Sequence, residues 1–273
     1  GLLAFATDSR EPVRLAALLA LRRRGSAEVA VFLRDEAPRL VLEAARAIHD
    51  QPIPASAPML AAMAGDARLP EGAVRRAINA NWQLGTVEAA SRLAKIAATK
   101  DATEWVRLDA LDALARWNDA RQIDRLLTVF RTRQANPEAA GRELAAVLPA
   151  LLAEDGSSVA AAAAMSAGAL KLTEAGGMLA MAAKSAKDEK LRLAALQSLA
   201  DCKFPDLVGL LEPAAADPSS KVRELARKIS VNLRPESAAP QLAAVLDRGT
   251  IEEQQNAIAT LALVKGTAAD RLL

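Results

Sequence analysis

His49 and Cys202 are the only histidine and the only cysteine in 273 residues. A thiolate–imidazole nucleophile would need these two to meet, and a serine triad would need a turn-mounted serine beside His49. The sequence supports neither. His49 closes an apolar helical stretch just before "DQPIPASAP", where an imidazole is expected to cap or pack. One cysteine cannot build a Cys-rich zinc site or an intrachain disulfide. "EAGG" (174–177) follows no strand and is no phosphate loop. Acidic pairs such as Asp35-Glu36 and Asp188-Glu189 sit at helix starts, where they favour the helix dipole by about 0.3–1 kcal/mol without any catalytic role. No catalytic residue, metal ligand or cofactor is therefore expected, and this segment is read as a non-enzyme.

The remaining candidates for chemistry are charged and repeat along the chain. Arg14, Arg75, Arg107, Arg192 and Arg223 each follow a Val or Leu that opens an Ala/Leu-rich stretch, as in "EPVRLAALLALRRRG" and "KLRLAALQSLADC". Such a column, if it lines a concave face, could hold an anionic partner. It could equally be an internal ladder, because Asp8, Asp101 and Asp217 lie six residues before Arg14, Arg107 and Arg223. Lys+Arg 35 against Asp+Glu 33, for a net charge of +2, favours the ladder over a nucleic-acid groove. "INANWQLG" (78–85) adds a second oddity: mid-helix Asn79 and Asn81 are mildly unfavourable and should bond a neighbouring loop backbone or form a recognition patch. The candidate binding surface is thus Arg14, Arg75, Asn79, Asn81, Arg107, Asp112, Arg192 and Arg223. Trp82, Trp105 and Trp117 read as packing residues between repeats.

The elements that must position these residues are set by a period. Val13, Val41, Val74 and Val106 are followed, after a gap of 53, by Val159, Leu191, Val222 and Gln254, the other steps being 28 to 33 residues. Small or apolar residues recur four places on: Ala17, Ala45, Ile78, Ala110, Ala163, Ala195 and Ala226. Positions zero and four share one helical face. A second Leu/Ala-rich segment precedes most of these helices, so each unit is a helical hairpin, A then B. Asp8-x-x-Glu11, Asp101-x-x-Glu104 and Thr250-x-x-Glu253 read as capping boxes, Asp217-Pro218 and Asn136-Pro137 as helix starts, and Gly25, Gly85 and Gly266 as helix ends. In the long gap, helices are expected near 119–132 and 137–153, the first of them extra to the period.

A period near 32 predicts an all-α fold, an α-α superhelix of about eight hairpins spanning 1–273 as one solenoid domain. Hydrophobic content of 52% suits a folded chain, and with aromatics at 3% and no Tyr the core must be Ala, Leu, Val and Ile. No apolar run reaches the roughly 20 residues of a membrane span, so no membrane insertion is expected. The chain opens on Gly1 with "GLLAFATD", like a helix tail, and ends on "TAADRLL", like a helix start; a segment of a longer multidomain protein, itself monomeric, is expected.

The order Asp, Val-Arg, Ala, Ala-Leu resembles short HEAT-like repeats of the kind found in phycobilisome lyases and many bacterial scaffolds. Three stretches, "LVLEAARAIHDQPI" (40–53), "VRRAINANWQLGTVEAASRLAKIAA" (74–98) and "VRLDALDALARWNDARQIDRL" (106–126), resemble the HEAT-repeat region of planctomycete-type bacterial membrane-bound dehydrogenases. In that family a quinone-dependent, sugar-dehydrogenase-like propeller precedes the repeats and a c-type cytochrome segment follows. No Cys-x-x-Cys-His haem site stands in this sequence, so the resemblance places the redox chemistry in a neighbour. It implies a periplasmic or exported setting and a scaffold that spaces or docks domains of a larger oxidoreductase, or binds a protein partner. The alternatives are a HEAT-like nucleic-acid-binding module using the Arg column and, from the repeat style, a chromophore-lyase-like enzyme.

Overall fold

Ala, Leu and Val at positions zero and four leave each B segment one narrow apolar stripe, which only a neighbouring helix can cover. The computed structural model, which describes residues 1–234 and 238–262, is built that way throughout and is all-α, with no strand among the described residues. Helices α1 (Glu11–Arg23), α2 (Pro38–His49), α4 (Glu71–Leu84), α6 (Glu104–Ala115), α8 (Ser158–Ala169), α10 (Glu189–Asp201), α12 (Ser220–Leu233) and α14 (Ile251–Leu261) are the eight B helices of the period. The A positions hold a 3-10 helix at Ala27–Arg34 and α3 (Ala57–Ala61), α5 (Val87–Ala98), α9 (Gly176–Ser185), α11 (Leu207–Ala215) and α13 (Ala238–Arg248), with α7 (Ala139–Leu152) in the long gap. Val29 and Val31 explain the weak first A segment, since β-branched side chains lose rotamer freedom in an α-helix.

The chain divides into two compact units, Gly1–Leu151 and Leu152–Leu273. In the first, α1 packs on α2, α2 on α4 and α4 on α6, with α3 against α4 and α5 against α6. In the second, α8 packs on α10, α10 on α12 and α12 on α14, while α9, α11 and α13 pair with the B helix that follows each. Within each unit this neighbour-to-neighbour packing is compatible with a helical-hairpin superhelix. The residues at position four, six alanines and Ile78, are buried in every B helix from α1 to α12. Close approach is clearest at Gly168, where a Cβ would lie 2.8 Å from the Cα of Ser198 on α10.

Several local expectations fall differently. Thr250 and Glu253 form a capping box on α14, but α1 and α6 start later than their Asp residues suggest, at N-caps Arg10 and Thr103 without side-chain caps. Asp8 instead binds the backbone and guanidinium of Arg10. Ser219, not Asp217, caps α12. Gly25 and Gly85 adopt positive φ at helix ends; Gly266 lies outside the described residues. The helix expected near 119–132 does not form. Residues 118–138 leave α6 as an irregular excursion whose one regular feature is an isolated antiparallel bridge between Ile123 and Phe130. The turn is held by Asp124, whose Oδ1 accepts from the amides of Leu126 and Leu127 at 2.9 and 2.7 Å. An Asp that bonds its own downstream amides competes with helix formation.

Candidate functional site

In the first unit the excursion folds back over the B helices. Its floor is a buried polar cluster. His49 ends α2, its Nδ1 2.8 Å from Asp50 Oδ1 and its Nε2 2.7 Å from Asn79 Nδ2 of α4 and 3.4 Å from Asp124 Oδ2. The fully buried Asp124 takes Asn79 Nδ2 and Gln83 Nε2 on its Oδ2, at 2.9 and 3.1 Å. Arg131 lies 3.2 Å from the same oxygen. It also donates to the carbonyls of His49 and Asp50, at 2.7 and 3.1 Å, capping the C-terminus of α2. Arg76 closes the cluster with two bonds to Asp50, at 2.9 and 2.8 Å.

Two carboxylates thus face two guanidiniums. Burial alone would raise Asp124, but the His49 contact and the Leu127 and Leu126 amides more than offset it, and its pKa falls well below the ordinary range. Asp50 behaves likewise: burial is outweighed by Arg76 and His49. Among the described residues Asn79 Oδ1 is buried with no hydrogen-bond partner. Beside the cluster opens a groove of about 390 Å³ lined by Ile48, Pro52, Ile53, Leu60 and Leu84 and also by His49, Gln83, Arg131 and Thr132.

A second anchor follows. Arg133 lies over the rings of Trp82 and Trp117, at 4.2 and 5.2 Å, and donates to the Trp117 carbonyl. Its Nε and Nη2 are buried without a partner, and burial pushes its pKa down to about 10. Gly85 makes room for the excursion: a Cβ there would lie 2.5 Å from Gln134 O.

The residues proposed from sequence are placed as follows. Arg14 donates Nε and Nη2 to Asp35 at 2.9 and 3.1 Å, and Nη1 to the carbonyls of Asp8 and Ser9. Arg192 binds Asp217 and the carbonyls of Ala186 and Lys187. Arg223 binds Glu253 and the carbonyls of Asp217 and Pro218. The pattern is one motif in three copies: carbonyls at i−6 and i−5, and an acid from the next repeat. The acid therefore comes from the following repeat, not from the same turn; Asp8 and Asp217 give Arg14 and Arg223 their main-chain oxygens. The Nε of Arg107 donates to Ala97 O at 2.7 Å. Arg75 lies over Trp105 at 4.7 Å and pairs with Glu71.

Asn81 joins three helices, donating to the carbonyls of Ala61 and Ala77 and accepting from Arg92 of α5. Asn79 serves side chains instead of a loop backbone. Asp112 accepts from Arg116 and Arg125, the latter reaching in from the excursion. The structure gathers only Asn79 of this set into the buried cluster. Asp124 and Arg131 were missed because they lie where a helix was expected; the break in the period was the available signal. Cys202 is buried, and burial raises its thiol.

No protein-family model and no curated protein matches the chain. Among solved structures it is similar to a crystal structure of an engineered protein from a structural genomics consortium, at 18% identity, over 99% of this chain and 90% of that one, with a TM-score of 0.36. A superposition that loose carries no argument. No group of His, Cys, Asp and Glu that could hold a metal ion occurs among the described residues, and no described helix is long and apolar enough to cross a membrane.

Proposed function

We propose that this chain is a non-catalytic helical-repeat scaffold that docks a protein partner or a neighbouring domain. The observation that supports it is the use of the recurring arginines. Arg14, Arg192 and Arg223 each spend their guanidinium on their own turn and on the next repeat. Charge that could have gripped a polyanion is consumed in holding repeats in register, which is what a static platform needs. The resemblance of 40–53, 74–98 and 106–126 to the dehydrogenase-associated repeats supports an exported setting beside a propeller-type oxidoreductase domain, with the redox chemistry in that neighbour.

The test is a titration of the chain against a separately purified propeller-type dehydrogenase domain of the resembled family, alongside a mixed-sequence DNA duplex at physiological salt. A saturable complex with the protein is expected. Binding to the duplex should be no tighter than the ~10⁻⁴–10⁻⁶ M of non-specific electrostatics. Tight duplex binding that Arg192→Ala abolishes, with no protein complex, would replace this reading with the nucleic-acid one.

A further inference from the structure

The arginine motif skips α2. Arg14, Arg192 and Arg223 each stand four residues after the N-cap of their helix, which is Arg10, Asp188 and Ser219. From there each takes the two carbonyls that precede the N-cap and an acid of the next repeat. The N-cap of α2 is Ala37, and the fourth residue on is Val41. An arginine at that position would take the carbonyls of Asp35 and Glu36. Among the described residues no hydrogen bond ends on either carbonyl. A valine is too short to reach them, and a groove of about 670 Å³ opens instead, lined by Val41, Asp35, Glu36 and Asp66 with Met63 and Leu69.

That lining is the receiving half of the motif. Asp66 precedes the next B helix, α4, as Asp35 and Asp217 precede α2 and α12. Its carboxylate holds Arg68, taking the amide and Nε at 3.0 and 2.9 Å and Nη2 at 2.7 Å, but the Arg68 side chain is 90% exposed. An ion pair so exposed contributes little and is readily exchanged. Arg34, which also lines the groove, is exposed too. Met63 and Leu69 offer apolar surface to the methylene stem of a long cationic side chain. Other B helices without the motif differ: Arg75 of α4 lies over Trp105 of the next repeat, and the groove at Ala161 of α8 is lined by Lys190 and no acid. We propose that the groove at Val41 receives an arginine side chain of a partner polypeptide, completing from outside the motif that Arg14, Arg192 and Arg223 complete from within. Its guanidinium donates to the carbonyls of Asp35 and Glu36 and to Asp66, displacing Arg68. The three copies filled within the chain identify the occupant, because a pair of main-chain oxygens facing a carboxylate selects a planar fork over an ammonium. This rests on the docking-scaffold reading and names the side chain by which the partner is held.

The test is amide NMR of the full chain, titrated with N-acetyl-arginine amide and with its lysine counterpart. The arginine compound should shift the amides of 35–37 and 66–69 saturably, in the millimolar range, and leave the filled turns at 186–189 and 217–220 unmoved. The lysine compound should bind about tenfold more weakly. Asp66→Asn should weaken the arginine compound about tenfold, and Arg68→Ala, which frees Asp66, should tighten it about threefold. Val41→Arg should fill the groove from within and abolish binding. Circular dichroism checks that each variant folds; if Val41→Arg does not, the lysine and Asp66→Asn comparisons decide. No saturable shift at those amides in wild type or Arg68→Ala, equal binding of the two compounds, full binding by Asp66→Asn, or a folded Val41→Arg that binds like the wild type overturns the proposal. A failed arginine titration beside a saturable complex with the dehydrogenase domain removes this site and leaves the scaffold reading, and the converse removes that partner alone.

Discussion

Arg192 and Asp217 form a two-pronged ion pair between successive repeats, Nε and Nη2 of one meeting the two carboxylate oxygens of the other at 2.8 and 3.0 Å. The third prong, Nη1, takes the carbonyls of Ala186 and Lys187, both at 2.9 Å. A planar fork suits this three-way job, and a lysine ammonium could not reproduce it. Asp217 is pushed up by burial and pulled down further by Arg192, so its carboxyl lies below the ordinary range. Its carbonyl then accepts from Arg223, which passes the same motif on to Glu253.

Tight B-helix stacking predicts intolerance of added volume at position four. Ala17→Leu, Ala195→Leu and Ala226→Leu, all at buried sites, should each destabilise by about 1–3 kcal/mol through overpacking. Denaturant midpoints measure this. Unchanged midpoints in all three would show that the B helices are not in close contact there.

The second unit should be acid-labile through Glu253. Its Arg223 bond, aided by Thr250 and Arg227 against the opposing effect of burial, lowers its pKa from 4.5 to about 2. A depressed folded pKa means stability that is complete above the unfolded value and is lost as pH falls from about 4.5 towards 2. Glu253→Gln should flatten the urea midpoint across that window while leaving a lower plateau above it. A variant with the wild-type acid profile would contradict the assignment.

Asp124→Ala should cost about 3–5 kcal/mol, because it strands the partly buried Arg131 without its carboxylate. Amide exchange should then accelerate across 118–138 before it changes in α4 or α6. Uniform acceleration would mean that the excursion is not a separate cooperative segment.

Arg133 makes the opposite forecast. Stacking on Trp82 and Trp117 is worth roughly 0.5–2 kcal/mol, while two buried unpartnered donors cost about 1–3 kcal/mol. Arg133→Met replaces the cation–π stack by a sulfur–aromatic contact and removes the two unpartnered donors along with the bond to the Trp117 carbonyl, so the opposing effects should leave it close to neutral by thermal denaturation. A loss above about 2 kcal/mol would reveal an acceptor for those nitrogens.

The helical period was legible because positions zero and four are fixed by a single physical demand, an apolar stripe facing the next helix. Val41, Val74, Leu191 and Val222 could be aligned on that alone. Cap positions were less legible: Asp217 and Ser219 are both good caps, and pairing with Arg192 draws Asp217 away from the helix. The excursion was unreadable for a related reason. "DRLLTVF" has helical apolar spacing, but Asp124 satisfies local amides and a network drawn from α2 and α4 that no sequence window contains. Hence Asn79 was recognised as anomalous, while its partners His49 and Asp124 were not.

The inter-repeat ladder is tested most directly by a double-mutant cycle on Arg192 and Asp217, with stability read from equilibrium urea unfolding of wild type, Arg192→Ala, Asp217→Ala and the double variant. Side chains 11% and 9% exposed place the pair between surface and buried cases. Each single change should destabilise, and the coupling energy should be about 1–2 kcal/mol. Additive effects within ~0.3 kcal/mol, with wild-type stability retained by Arg192→Ala, would mean that the column does not hold the repeats together and that its charge is free for a ligand.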